Sequence, residues 1–264
     1  MAWNRTRLNR GMMWGAGAMA AVVAGLALYA VVSGGDDGPT EPTGQGRTSA
    51  SAPPASPAPT YAPPDDWTEP ARWAALVHGS RAENHRATGF PQTTTGALSM
   101  LAAANETTVE GATSTVDEQL GIYTTYVADA DKSAANEQKV KQKATQADAS
   151  IRRQLGLPAN GPLPSGAYAR NHVVGFKVIK EDRGEVSAWL LTRVTMKAGE
   201  TDKERGSYTR TLAAAAWQNG DWKISSAAVL RAARQAASAP RPAMAAPGDA
   251  AFNRAGWTAI REAS

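Results

Sequence analysis

From Trp67 onward the apolar positions fall into two successive rhythms, first helical and then alternating. Thr93–Thr95 stand ahead of GALSMLAAAN, where Leu98, Leu101 and Ala102 form the inner side of a predicted helix. A second helix is predicted from Ser114 or Thr115, because Thr115-Val-Asp-Glu118 has the hydroxyl-to-acid spacing of a capping box. Leu120, Tyr123 and Val127, with Val116, supply its apolar stripe. The third prediction, Ala134–Leu155, is the clearest. Val140, Ala144, Ala147, Ile151 and Leu155 recur at helical spacing, Lys139, Lys141, Lys143, Arg152 and Arg153 lie mostly elsewhere around the helix, and Gly156 and Pro158 end it.

Beyond a GLPANGPLPSG loop the rhythm changes to strands over 167–180, 185–197, 207–218 and 222 to about 230. Val186, Ala188, Leu190, Val194 and Met196 define one face of the second of these. Asn219-Gly220 is the strongest hairpin signal, since a type I′ turn needs positive φ at both central residues. The Ala-rich stretch from Ala227 can turn helical before Pro240 and Pro242. Phe252, Trp257 and Ile260 are placed to dock the tail on the domain. The segment 67–89 reads as an irregular lead-in. Three helices followed by an antiparallel meander predict an α+β fold, with the helices on one face of a curved sheet around a cone-shaped hollow.

The first quarter follows other rules. Met12 to Val32 is 21 residues without a charge, a helix of roughly 31 Å against a hydrocarbon core of about 30 Å. Arg5, Arg7 and Arg10 precede it and Asp36 and Asp37 follow. The positive-inside bias therefore keeps 1–11 in the cytoplasm as a basic tail, makes 12–33 a single-pass membrane helix, and puts the rest outside the cell membrane. The competing reading is a cleaved signal peptide; the run is longer than such apolar regions, and Val31-Val32-Ser33 is a poor cleavage site. Gly17, Ala21 and Gly25, four apart, suit side-by-side packing of two such helices and hence a homo-oligomer. Residues 34–66 hold eight of the 16 prolines and only Tyr61 as a large apolar side chain, so they read as a disordered linker. The extracytoplasmic domain is assigned to 67–239 and the C-terminal tail to 240–264.

Charge and composition then narrow the chemistry. The net charge of +4 divides into +3 before the apolar run, −4 across 34–66 and +5 over the remainder. That last excess is mild for its length and argues against a nucleic-acid partner. The chain has no cysteine, which excludes disulfides, thiol nucleophiles and zinc-thiolate sites. Its three histidines are His78, His85 and His172. His172, near Tyr168 and Arg170, is the one tempting acid/base group, but its strand neighbours Arg170 and Val174 complete no dyad. There is no phosphate loop, dinucleotide fingerprint, HExxH or GxSxG. No catalytic, cofactor-binding or metal residue is therefore assigned, and the expectation is a protein that is not an enzyme and carries no cofactor.

The stretch Trp217-Gln-Asn-Gly220-Asp-Trp222-Lys-Ile224 resembles the last hairpin of the nuclear transport factor 2-like superfamily. With the three-helices-then-meander order, the resemblance covers about Thr93 to Leu230. Basic tail, membrane helix, tether and one such domain together look like the bitopic core components of type IV secretion and conjugation systems. The stretch Trp73–Ala104, with Gly89-Phe-Pro91 and Thr95-Gly-Ala97, looks like an uncharacterised actinobacterial membrane family. The resemblance implies a non-catalytic assembly component with protein partners in a membrane complex. The alternatives are a tethered ligand-binding or sensory domain and, third, an isomerase or hydrolase of the same superfamily.

Overall fold

A computed structural model describes residues 67–261. The segments 1–11, 12–33 and 34–66, read as tail, membrane helix and linker, lie outside the described residues. Among the described residues, no helix is long and apolar enough to cross a membrane.

The three predicted helices form. The first, α1, spans Thr94–Ala103, and the Thr93 hydroxyl caps it by accepting the Gly96 N–H. It is not one-sided: every residue from Gly96 to Ala102 is buried, because the lead-in covers its outer side. The Val77 N–H donates to Ser99 Oγ at 2.9 Å, and a Cβ on Gly96 would stand 2.0 Å from the Pro91 carbonyl oxygen. The second, α2, spans Thr115–Tyr126. Its capping box is Ser114 with Asp117, one residue earlier than the sequence pattern suggests. Thr115 is instead buried and donates to Asp148 of the next helix at 3.1 Å. The inner face of α2 is Gln119, Ile122, Tyr123 and Tyr126. The third, α3, runs Ala134–Leu155 with the predicted stripe buried and Gly156 at φ 68° as its stop.

Seven strands form one sheet. The long ones are β5 (Tyr168–Glu181), β6 (Glu185–Lys197) and β7 (Arg205–Gln218), paired antiparallel in sequence order. Asn219 and Gly220, at φ 53° and 79°, turn β7 into β8 (Asp221–Ile224). This last strand is shorter than expected: the Ser225 hydroxyl caps a fourth helix, α4, over Ser226–Ala236.

The expected all-antiparallel sheet is corrected to a mixed one. Between α1 and α2 a strand, β4 (Thr107–Glu110), pairs antiparallel with the start of β5. The lead-in contributes β1 (Trp73–Ala75) and a small hairpin of β2 (Arg81–Glu83) and β3 (Arg86–Thr88). After a short helix, α5 (Ala250–Ala255), the chain forms β9 (Thr258–Arg261). This last strand joins β5 antiparallel and β1 parallel. Neither β1 nor β9 belongs to the meander, so its up-and-down rule does not govern their direction. The order is β1-β9-β5-β6-β7-β8, with β4 also on β5.

Register sorts the two faces. Val186, Ala188, Leu190 and Val194 of β6 share a face with Ala213 and Ala215 of β7, and α1, α2 and α3 cover it. Met100, Leu101, Tyr126, Leu190 and Trp222 fill the interface. The opposite face carries Glu185, Trp189 and Leu191. There Phe252 and Trp257, both fully buried, pack with Leu191, Ala245 and Ala259. Residues Ala213 to Ala215 have no exposed surface at all; alanines suit a strand covered closely from both sides.

On that second face Arg231 of α4 donates to Glu185 from Nε and Nη2, at 2.9 and 2.5 Å. The guanidinium beside it, aided by Lys180, holds the Glu185 carboxyl below the usual glutamate range despite burial. A depressed native value means this contribution is complete above the unfolded value of about 4.3 and is lost as pH falls through the native one. Glu185→Gln is therefore expected to flatten the acid limb of the stability curve, and urea midpoints measured from neutral to acid pH check it.

Candidate functional site

The C-terminal segment and α4 cover only part of the second sheet face. Toward the start of β5 that face is bare, and the register builds a four-strand surface there. Tyr168, Arg170 and His172 of β5 stand opposite Lys197, Thr195 and Arg193 of β6. On one side β4 brings Thr108 and Glu110 alongside Arg170 and Tyr168. On the other, Arg193 faces Tyr208 of β7.

The charges of this surface are held in pairs. Arg170 Nη2 lies 2.6 Å from Glu110 Oε2, and its guanidinium carbon sits 4.1 Å above the Tyr168 ring. His172 Nδ1 is 3.3 Å from Glu106 Oε1, with 48% and 43% of the two side chains exposed. The Tyr168 hydroxyl donates to Glu204, whose other oxygen is 3.4 Å from Arg193. That hydrogen bond pushes the Tyr168 hydroxyl above its ordinary pKa, and the hydrogen bond that Arg170 donates to Glu110 does the same for Arg170. Tyr208, raised chiefly by burial, marks the border with the covered half.

Glu106, ahead of β4, is thus a partner of His172. A histidine–carboxylate pair can orient a base. This one stands about half exposed, with Glu106 at the rim of a cleft. His78 is exposed in the lead-in, and His85 is exposed at φ 61° in the β2–β3 turn, after Asn84 at φ 50°. Among the described residues, no three His, Asp or Glu side chains converge to hold a metal ion.

Two open clefts flank the β2–β3 hairpin. One, of about 320 Å³, is lined by Arg81, Glu83, Asn219, Asp221 and Lys223 among others. Asp221 is buried and already accepts the N–H groups of Gly89 and Phe90 at 3.0 and 3.2 Å, so it works as a clamp between lead-in and hairpin. The other, of about 390 Å³, includes His85, Arg86, Glu106 and Glu118. Arg86 pairs with Glu118 at 3.1 Å and lies across α2 where a Cβ on Gly121 would be 2.9 Å from its Nε.

Sequence reasoning missed Glu106, Glu110 and Glu204, which sit in or beside segments taken as connections. The signal for β4 was present in Thr107-Thr-Val-Glu110, which alternates buried and exposed. For Glu204 no local pattern exists; only the register of β7 places it. Set against protein-family models, curated proteins and solved structures, the chain matches none of them.

Proposed function

We propose that this chain is a membrane-anchored, non-catalytic assembly component of a conjugative-transfer or type IV secretion-like machine, its described part a nuclear transport factor 2-like domain. The observation that carries the reading is the bare, charge-ordered end of the second sheet face, around Tyr168, Arg170, His172 and Arg193. A rigid backing with fixed side chains, exposed at one place, is what a protein partner recognises.

Two further features support it. The order of α1, α2 and α3 followed by β5 to β8 agrees with the superfamily resemblance, and its motif tryptophans, Trp217 and Trp222, meet edge to face at 5.3 Å. The sequence ahead of Trp67 reads as cytoplasmic tail, anchor and spacer, which would hold this surface outside the membrane at a set distance. A tethered ligand-binding or sensory domain is the second reading, favoured by the cleft beside Arg86 and Glu118.

The test is a mating assay in the source organism. Deleting the gene is expected to abolish transfer of the mobile element. The intact chain should restore it, while a chain without residues 1–33, or one carrying Arg170→Glu with Arg193→Glu, should not. The double variant should keep its melting temperature, since both side chains are about half exposed. Normal transfer in the deletion strain would sink the proposal.

A further inference from the structure

One strand of the sheet has a long side without a partner. The strand β7 pairs with β6 from Arg205 to Ala216 without a register shift, but with β8 only from Ala215 to Gln218. The direction of its backbone groups follows from the turn. In a two-residue hairpin the flanking residues, here Gln218 and Asp221, exchange hydrogen bonds. Trp217 points the other way, its N–H donating to the Gly184 carbonyl at 2.9 Å. Even-numbered residues therefore aim away from β6, and Gly206, Tyr208, Arg210 and Leu212 present N–H and C=O along the open side. No backbone hydrogen bond from a described residue reaches them.

Other edges of this sheet are managed. On β4 the Thr108 N–H is taken by the Glu118 carboxylate at 3.3 Å. On β8 the Ile224 carbonyl accepts from Ala128 at 2.9 Å. The open stretch of β7 has no proline and no bulge, the usual devices that keep strangers off an edge.

Its surroundings are basic. Arg210 stacks 5.6 Å from the Trp189 ring and donates to the Pro242 carbonyl. Burial and the neighbouring Arg241 push its guanidinium below its ordinary pKa. Among the described residues, no carboxylate pairs with Arg205, Arg210 or Arg241. On the other face, Arg205 donates to the Gln154 carbonyl of α3 at 3.3 Å. Buried there, Thr209 Oγ1 and Gln154 Nε2 have no hydrogen-bond partner among the described residues; the Thr209 residue is 5% exposed.

We propose that the open side of β7 from Gly206 to Leu212 is the docking site for an extended acidic segment of a partner protein, which adds to the sheet beside β7. The proposal rests on the reading of this chain as an assembly component and names the surface that does the assembling. Main-chain hydrogen bonds to Gly206, Tyr208, Arg210 and Leu212 supply register. Carboxylates on one face of the added strand reach Arg210 and Arg241. A second copy fits worse, because two-fold pairing of β7 with itself brings these cations together across the seam.

The probe is a pair of fluorescent peptides of about ten residues, one alternating Val and Glu, the other Val and Lys, titrated onto the full chain in detergent micelles. The Glu peptide is expected to bind at least about tenfold tighter than the Lys peptide. Arg210→Glu should remove that preference. Leu212→Pro, which deletes an outward N–H that β6 does not use, should weaken binding by about tenfold or more; if it unfolds the chain, Arg210→Glu decides alone. Hydrogen exchange at Tyr208, Arg210 and Leu212 should slow when the Glu peptide is added. Equal affinity for the two peptides, or binding indifferent to Arg210→Glu, overturns the proposal. So does protection of those amides without peptide, which identifies a second copy if it grows with protein concentration and the chain itself if it does not. The mating assay judges the assembly role independently: loss of transfer on deletion together with no peptide binding removes only the edge.

Discussion

Trp222→Ala should destabilise the chain by about 3–5 kcal/mol, the range for removing a large aromatic from a core that cannot collapse around the gap. The side chain is 1% exposed and lies in the main hydrophobic cluster with α1, α2 and the sheet. Its ring meets Trp217 edge to face at 5.3 Å, and its indole N–H donates to the Pro91 carbonyl at 2.8 Å. The substitution thus removes volume, an aromatic contact and the indole hydrogen bond to the Pro91 carbonyl together. Urea unfolding of wild type and variant in the same detergent measures it. A change below about 1 kcal/mol would mean that the β7–β8 hairpin is peripheral to the core.

Trp257→Ala should cost a similar amount, about 3–5 kcal/mol, but through a different failure. Trp257 is fully buried under the second sheet face, and its indole N–H donates to the Ala243 carbonyl at 2.7 Å. Around it lie Leu191, Phe252 and Ala259, with Trp73, Trp189 and Tyr208 packed against the cluster. Losing the ring should loosen the segment 240–257 from the sheet, so limited proteolysis should cut there before the helices unfold. Equal resistance of wild type and variant over 240–257 would show that Phe252 holds the segment by itself.

The parts of this fold legible in the sequence are those whose hydrophobic rhythm is satisfied by near neighbours. The α3 stripe of Val140, Ala144, Ala147, Ile151 and Leu155 and the Asn219-Gly220 turn are of this kind. The helix α1 was legible in position but not in environment, because a helix buried on all sides has no rhythm to read. The β2–β3 hairpin escaped for a chemical reason: its turn is Asn84-His85, where the second left-handed residue is a histidine and not the usual glycine. The strands β1, β4 and β9 are three or four residues long, too short to establish a period. The bare face escaped entirely, since its charged pairs join Glu106 to His172, Glu110 to Arg170 and Glu204 to Arg193, and the first two connect residues 60 or more positions apart in sequence.

The pairing of β1 with β9 has a consequence for how the chain is made. Trp73 lies beside Ala259, Ala71 donates to Asn253, Asn253 donates back to the Glu69 carbonyl, and Thr68 donates to Gly248. The first described residues therefore have their partners among the last, and their polar backbone waits until nearly the whole domain has left the ribosome. Closure of such distant ends is a late and slow event. On the proposed route across the membrane this delay is useful, because a chain that cannot close early stays threadable until export is complete. A stalled or truncated product would lack the closing strand and present Trp73, Trp189 and Leu191 to quality-control proteases, so only finished copies would persist.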